Sequence, residues 1–135
     1  MSPRAEPDFV DSSAFYALLD RDDANHSSAA ELFRKALEDQ RPLLTSNFVV
    51  AEAHALILHR LGREAAATWL EAIPAQVVRA SADDEQRARA IIRQYRDKEF
   101  SYCDAVSFAL MERLHVTFAL AFDRHFQQYG KFVLL

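Results

Sequence analysis

The sequence predicts an α/β fold, a three-layer α/β/α sandwich around a central, mainly parallel sheet of about five strands. Short apolar segments alternate along the chain with segments whose apolar residues recur at helical spacing, and strands separated by helices pair in parallel. The segment Val116 to Phe122 is apolar at almost every consecutive position, which suits a strand covered on both faces. The 135 residues are 50% hydrophobic, with two Gly and four Pro and no linker, repeat or low-complexity tract, so residues 1–135 read as one compact domain.

Each element follows from local chemistry. Pro7 to Asp11 reads as a short strand and Ser13 to Leu19 as a helix, followed by a polar loop through Asp20, Asp22 and Asp23. Asn25 is placed to cap a second helix whose stripe is Ala29, Phe33, Ala36 and Leu37. Pro42 to Thr45 is a strand, after which Ser46 or Asn47 caps a helix that Gly62 ends. Ala66, Trp69, Leu70 and Ile73 mark a further helix before Pro74, and Gln76 to Arg79 a strand. Ser81 caps a helix with the stripe Ala88, Ile91, Ile92 and Tyr95. A loop at Asp97 to Glu99 leads into the helix around Asp104, then the strand Val116 to Phe122 and a last strand Phe132 to Leu134.

Composition narrows the function. No apolar run approaches the roughly 20 residues of a membrane span, and the polar opening Met1 to Pro7 lacks the apolar stretch of a signal peptide, so a cytoplasmic protein without a membrane partner is expected. The single cysteine, Cys103, excludes an internal disulfide and a multi-cysteine zinc site, and reads as a small buried side chain. A formal charge of −4 argues against a basic coat for non-specific nucleic-acid binding.

Four acids stand where acids are costly. Asp11 closes Phe9-Val10, Glu52 interrupts Phe48-Val49-Val50-Ala51, Asp104 opens Ala105-Val106, and Asp123 ends the apolar strand at Phe122. A carboxylate beside buried apolar chain costs several kcal/mol without a compensating partner. Ligands of open α/β sheets bind at the carboxyl ends of strands, where Asp11 and Asp123 stand and where the helices carrying Glu52 and Asp104 begin. Structural readings exist beside this one: Asp11 and Asp123 can cap the turns that follow them, and Ser101-Tyr102-Cys103-Asp104 fits a capping box. Glu52 lies beyond the first turn of its helix, so capping does not account for it, and it is expected to face the core side. The denser run Asp83-Asp84-Glu85 follows Ser81 in a first helical turn, where acids stabilise the helix while remaining solvated.

Two carboxylates about 4 Å apart repel by roughly 4 kcal/mol at an effective dielectric of 20, so converging acids need a proton, a basic residue or a metal. Lysines are few, and the histidines His26, His54, His59, His115 and His125 show no spacing with a strand-end acid that defines a zinc site. An all-oxygen set suits Mg²⁺ or Mn²⁺, and with it hydrolysis of a phosphodiester.

Taken together, Asp11-Ser12-Ser13-Ala14-Phe15, Glu52 in its capped helix, Asp104-Ala105-Val106-Ser107-Phe108 and Phe122-Asp123-Arg124-His125-Phe126 resemble PIN-domain proteins of the VapC toxin type, in order and over nearly the whole chain. The resemblance implies a PIN-like α/β/α sandwich and a ribonuclease whose Mg²⁺ or Mn²⁺ is held by Asp11, Glu52, Asp104 and Asp123. It implies a toxin that cuts tRNA or ribosomal RNA to block translation, forms a homodimer and is neutralised by a small DNA-binding antitoxin. Ser13 and Ser107, two and three residues from ligands, are candidates to hydrogen-bond a carboxylate or water, with capping and packing as equal readings. The first apolar strand, only Phe9-Val10, is shorter than the family often has.

Arg87, Arg89, Arg93, Arg96 and Lys98 gather on or after one helix, and Arg124 and His125 flank Asp123. Arg96, Lys98 and Arg124 are the candidates for RNA phosphates, against a reading as solvated surface charge, and His125 reads as packing or capping. A catalytically inactive PIN-like interaction module is the alternative, predicting neither cleavage nor stabilisation by divalent ions. A phosphoryl-accepting receiver needs an acidic pair after the first strand and a late lysine, and a haloacid-dehalogenase phosphatase needs Asp-x-Asp; Phe9-Val10-Asp11 supplies neither pattern.

Overall fold

The first strand shows how little chain the centre of the sheet needs. In β1 (Asp8–Val10) all three residues are buried, and because successive strand residues point to opposite faces, both faces of the sheet are covered here. This computed structural model describes residues 6–135; Met1 to Ala5, part of the polar opening considered above, lie outside the described residues.

The chain continues through α1 (Ser12–Leu19), α2 (His26–Glu38), β2 (Leu43–Ser46), α3 (Asn47–Leu61), α4 (Arg63–Glu71), β3 (Gln76–Val78), α5 (Ala82–Gln94), α6 (Tyr102–Leu114), β4 (Phe118–Leu120), α7 (Arg124–Tyr129) and β5 (Val133–Leu134). The five strands form one sheet in the order β3-β2-β1-β4-β5, and every neighbouring pair is parallel. The expectation of a mainly parallel sheet is met by a wholly parallel one. From β1 the chain builds outward through β2 to β3, then returns to place β4 on the other side of β1. The gap between β1 and β4 is therefore the topological switch point, where sheets of this kind open a crevice at their carboxyl edge.

Helix ends follow the sequence closely. Ser46, not Asn47, caps α3 by accepting from Val49 N–H at 3.1 Å. Asn47 instead accepts from Ala80 N–H at 2.8 Å and ties the exit of β3 to the start of α3. Gly62 ends α3 at φ 97°, in the left-handed region that favours glycine. Asn25 occupies the cap position of α2 without a side-chain cap bond, because its ψ of 8° departs from the extended backbone that brings a side chain over the first turn.

Three apolar stripes are narrower than their periodicity suggests. Leu37 is 80% exposed, and Leu70 and Ile92 are exposed too, so α2, α4 and α5 bury the inner part of each stripe and leave its margin in solvent. Ile73 lies beyond the end of α4. The strand expected over Val116 to Phe122 is hydrogen-bonded as β4 over only Phe118 to Leu120, because both ends have other employment. His115 adopts φ 56° and Val116 N–H bonds back to the Met111 carbonyl at 2.9 Å, closing α6, while Phe122 N–H goes to the Ser13 hydroxyl.

The acidic run on α5 is structural, as expected, but not solvated throughout. Asp84 is buried, forms the capping box with Ser81, and accepts from Arg113 of α6 at 2.8 and 2.9 Å. The arginine holds its carboxyl below the usual range against the opposing effect of burial, which is the largest influence on it. The pair joins α5 to α6, the helix with the most buried residues, of which Asp104 to Met111 are all inside. On α6, Phe108 stacks on Tyr129 at 4.4 Å and meets Phe126 and Phe100 edge-on at 5.0 and 5.1 Å. This aromatic cluster fixes α7 and the segment entering α6, the two places from which site residues project.

Candidate active site

Asp11 is the first residue after β1, and its backbone N–H still belongs to the sheet, bonding the Leu120 carbonyl of β4 at 3.0 Å. Its side chain turns to cap α1, accepting from Ser13 N–H at 3.3 Å and from the Ser13 hydroxyl at 2.7 Å. The same hydroxyl oxygen accepts Phe122 N–H at 2.9 Å, so one serine joins Asp11 to the loop that leaves β4. Asp11 is only 2% exposed. Burial, followed by the charges of Glu52 and Asp104, raises its pKa to about 7 from an ordinary 3.8, although the Ser13 hydrogen bond opposes the rise.

Glu52 enters from α3. It is half-buried, at the rim of the core, and it accepts a hydrogen bond from the buried Ser12 hydroxyl of α1. Asp104 sits three residues past Ser101 in a complete capping box: its N–H bonds the Ser101 hydroxyl, and its Oδ2 accepts Ser101 N–H, both at 3.0 Å. Asp123 caps α7, accepting His125 N–H on Oδ1 at 2.8 Å. Capping and convergence are therefore compatible, because a helix that starts at the carboxyl edge directs its cap toward the crevice.

His125 was not anticipated as part of this group. Its Nδ1 lies 2.6 Å from Asp104 Oδ2 and 3.2 Å from Asp123 Oδ1, and one ligand-type atom from each of the three residues falls within 4.8 Å of the others. Asp104 thus belongs to two sets: with Asp123 and His125 on one side, and with Glu52 in raising the pKa of Asp11 on the other. The signal in the sequence was the Asp-x-His spacing after an apolar strand; capping explained it locally and hid the contact with Asp104. Ser12 was also missed, though its position beside Asp11 was the cue. Cys103 is half-buried, and burial, then the charges of Glu52, Asp11 and Asp104, push its thiol pKa far up, so it is an inert neighbour of the acids.

The other named residues divide. Ser107 is buried and donates to the Cys103 carbonyl at 3.0 Å, a bond within its own helix and not to a carboxylate. Lys98 and Arg124 line a polar cavity of about 230 Å³ together with His125, whereas Arg96 borders a separate depression with Ile92 and Arg93. Lys98 also pairs with Asp97 at 3.1 Å.

The donor set fits a hard divalent cation. Glu52 and Asp104 lie close enough to Asp11 to add to the rise that burial causes in its pKa, and Asp123 lies beside Asp104, so the cluster is built of carboxylate oxygens. Each of these acids keeps one oxygen on a protein donor, which fixes its direction in advance of any ligand.

The same stretch, residues 9–132, matches the family model of the PIN domain. The chain belongs to the PIN-domain family. Among PIN-domain relatives, it is 34% identical over 127 residues to the 23S rRNA-specific endonuclease VapC20 of Mycobacterium tuberculosis, covering 90% of this chain and 93% of that protein. The crystal structure of M. tuberculosis VapC20, described as a Sarcin-Ricin loop cleaving toxin, superposes with a TM-score of 0.79 at 33% identity, covering 93% of this chain and 95% of the other. VapBC2 from Rickettsia felis, bound to a DNA fragment from its promoter, superposes at 0.69 with 12% identity over 96% and 97% of the two chains, a likeness of fold. One sheet of five parallel strands covered by helices is thus the PIN fold, as the resemblance had implied.

Ser13→Ala removes a donor from Asp11 and the acceptor of Phe122 N–H at one stroke. A loss of about 1–2 kcal/mol in urea unfolding is expected, together with a pKa of Asp11 higher than in the wild type. An unchanged midpoint would show that water replaces the hydroxyl at both bonds.

Proposed function

We propose that this PIN domain is a divalent-metal-dependent endoribonuclease and a toxin that blocks translation by cutting ribosomal RNA. The observation that carries the reading is the closeness of Glu52 and Asp104 to the buried Asp11, with Asp123 beside Asp104, in a chain one-third identical to an rRNA endonuclease. Asp11, Glu52, Asp104 and Asp123 hold Mg²⁺ or Mn²⁺, and Ser12 and Ser13 orient the first two. Bound there, the cation lowers the pKa of water and screens the phosphate being attacked. The protein's own contribution is a set of carboxylates already aimed by helix caps and hydroxyls, so that little reorganises when substrate arrives. Ribosomal RNA is preferred to tRNA as the substrate because VapC20 acts on 23S rRNA.

As a toxin, the chain requires a cognate antitoxin, a small DNA-binding protein encoded beside it, and it acts as a homodimer. Its proposed site of action is the cytoplasm. No helix among the described residues is long and apolar enough to cross a membrane.

Purified protein incubated with ribosomal RNA in Mg²⁺ or Mn²⁺ is expected to give discrete fragments, and in EDTA none. Cleavage that survives EDTA overturns the metal role; absence of both cleavage and divalent stabilisation leaves the inactive interaction module.

RNA contact is assigned to Lys98 and Arg124, which border the acids through His125, ahead of Arg96. Replacing Lys98 and Arg124 together by Ala is expected to flatten the slope of log affinity against log salt by about 1.4, at roughly 0.7 per lost single-strand phosphate contact. Arg96→Ala should change it less. Equal slopes for all three proteins would remove this surface from the reading.

A further inference from the structure

Of the residues gathered at the switch point, His125 has no place in a set of oxygen ligands, yet it makes the shortest nitrogen contact there, 2.6 Å from Nδ1 to Asp104 Oδ2. A carboxylate oxygen in this position is an acceptor, so a contact of this length requires the hydrogen to be on Nδ1. Coordination through Nδ1 needs that nitrogen bare, and coordination through the remaining Nε2 is disfavoured by the preference of Mg²⁺ and Mn²⁺ for oxygen. Asp104 Oδ2 already accepts Ser101 N–H at 3.0 Å, and Asp123 Oδ1, 3.2 Å from the same Nδ1, already accepts His125 N–H at 2.8 Å. In each acid one oxygen collects protein donors, and the other, Asp104 Oδ1 or Asp123 Oδ2, is left for a cation. The ring itself is held on edge by Phe100, with centroids 5.7 Å apart and planes at 76°.

We infer that His125 is a positioning residue: its Nδ1–H bonds Asp104 Oδ2 while its backbone N–H bonds Asp123 Oδ1, 3.2 Å from the same ring nitrogen, so that it bridges the two acids and sets their spacing without entering the metal's coordination. The inference rests on the metal-site reading above. The preference of Mg²⁺ and Mn²⁺ for oxygen over imidazole nitrogen supports a bridge over a ligand. The bridge also explains the Asp-x-His spacing, since capping by Asp123 delivers the backbone of residue 125 to the carboxylate and leaves the ring to reach α6. Ser12 and Ser13 do the corresponding work for Glu52 and Asp11.

The test uses three variants of the full chain and follows Mn²⁺ by its concentration-dependent rise in Tm, with EDTA-treated protein as the baseline for folding. In His125→Asn the side-chain amide places an N–H at the position of Nδ1, whereas in His125→Gln it lies one bond further out and in His125→Ala it is absent. Asn is expected to keep the Mn²⁺ midpoint within about threefold of wild type, and Ala and Gln to weaken it about tenfold or more, the range for loss of a partner that orients a ligand. Cleavage should follow the same order. Equal loss in all three variants makes His125 a ligand, and equal retention makes it a packing residue; either overturns the inference while leaving the metal site standing. No Mn²⁺ response in the wild type overturns both. A second readout needs no variant: in wild-type protein the imidazole ¹⁵N spectrum should show hydrogen on Nδ1 of His125 with and without Mg²⁺, and its loss on adding Mg²⁺ would also overturn the bridge.

Discussion

Asp11→Asn is expected to abolish divalent-dependent cleavage and, in EDTA, to make the protein more stable than wild type at neutral pH. The substitution keeps an oxygen that can cap α1 and accept from Ser13, and removes only the charge. A loss of the order of 10³-fold in cleavage corresponds to about 4 kcal/mol of barrier. The stability gain follows from proton linkage. Unfolded, Asp11 ionises near 3.8; folded, burial and then the charges of Glu52 and Asp104 delay ionisation to about 7. Below the lower value both states hold the proton and nothing is lost. Between the two the folded state binds more protons, so stability falls as pH rises, and above about 7 the loss is complete, of the order of 4 kcal/mol at 1.36 kcal/mol per pH unit. Asn carries no such slope. Urea unfolding of both proteins in EDTA at pH 5 and pH 8 checks this: the difference should widen toward pH 8, and Mg²⁺ should close it for wild type alone. Parallel slopes would mean that Asp11 is already ionised in the folded chain.

Phe108→Ala is expected to give the largest loss of stability, about 3–5 kcal/mol, against the 5–15 kcal/mol that holds a typical domain together. Phe108 is fully buried and contacts four aromatic rings, of which Tyr129 is stacked at 4.4 Å and Phe126 meets it edge-on at 5.0 Å. Its removal leaves a cavity between α6 and α7 that rigid neighbours on two helices cannot fill. Phe126 follows His125 and Phe100 precedes Ser101, so the cavity also loosens the contact between His125 and Asp104. Cleavage per folded molecule should therefore fall as well, by less than in Asp11→Asn. A guanidinium midpoint close to wild type would show that the cluster collapses around the smaller side chain.

Much of this was legible because the governing interactions are short in sequence. Alternating strands and helices, the caps at Ser46, Ser81 and Ser101, and the stop at Gly62 are each settled within a few residues. The acids could be picked out because apolar neighbours made them expensive, and the strand-end rule sent them to one edge. What escaped were pairings that no local pattern carries. Arg113 buries Asp84 from a different helix, and His125 reaches Asp104 across the loop between β4 and α7. Strand ends blurred for a related reason, since nothing near Phe122 announces that its N–H belongs to a serine beside Asp11. The exposed Leu37 and Ile92 show that periodicity reports which face turns inward, and that the neighbouring elements decide how wide that face is.

Three of the four acids are also the opening residues of helices, so each acquires its direction within one turn of its own backbone. The pairing of β1 with β4 brings Asp11 and Asp123 to one edge, and it joins strands more than a hundred residues apart. On the proposed function this sets an order during synthesis. A nascent chain that has not yet supplied β4 carries Asp11, Glu52 and Asp104 without Asp123. On that function, the ribosome that makes this protein therefore supplies Phe118 to Asp123 before a competent nuclease exists beside it.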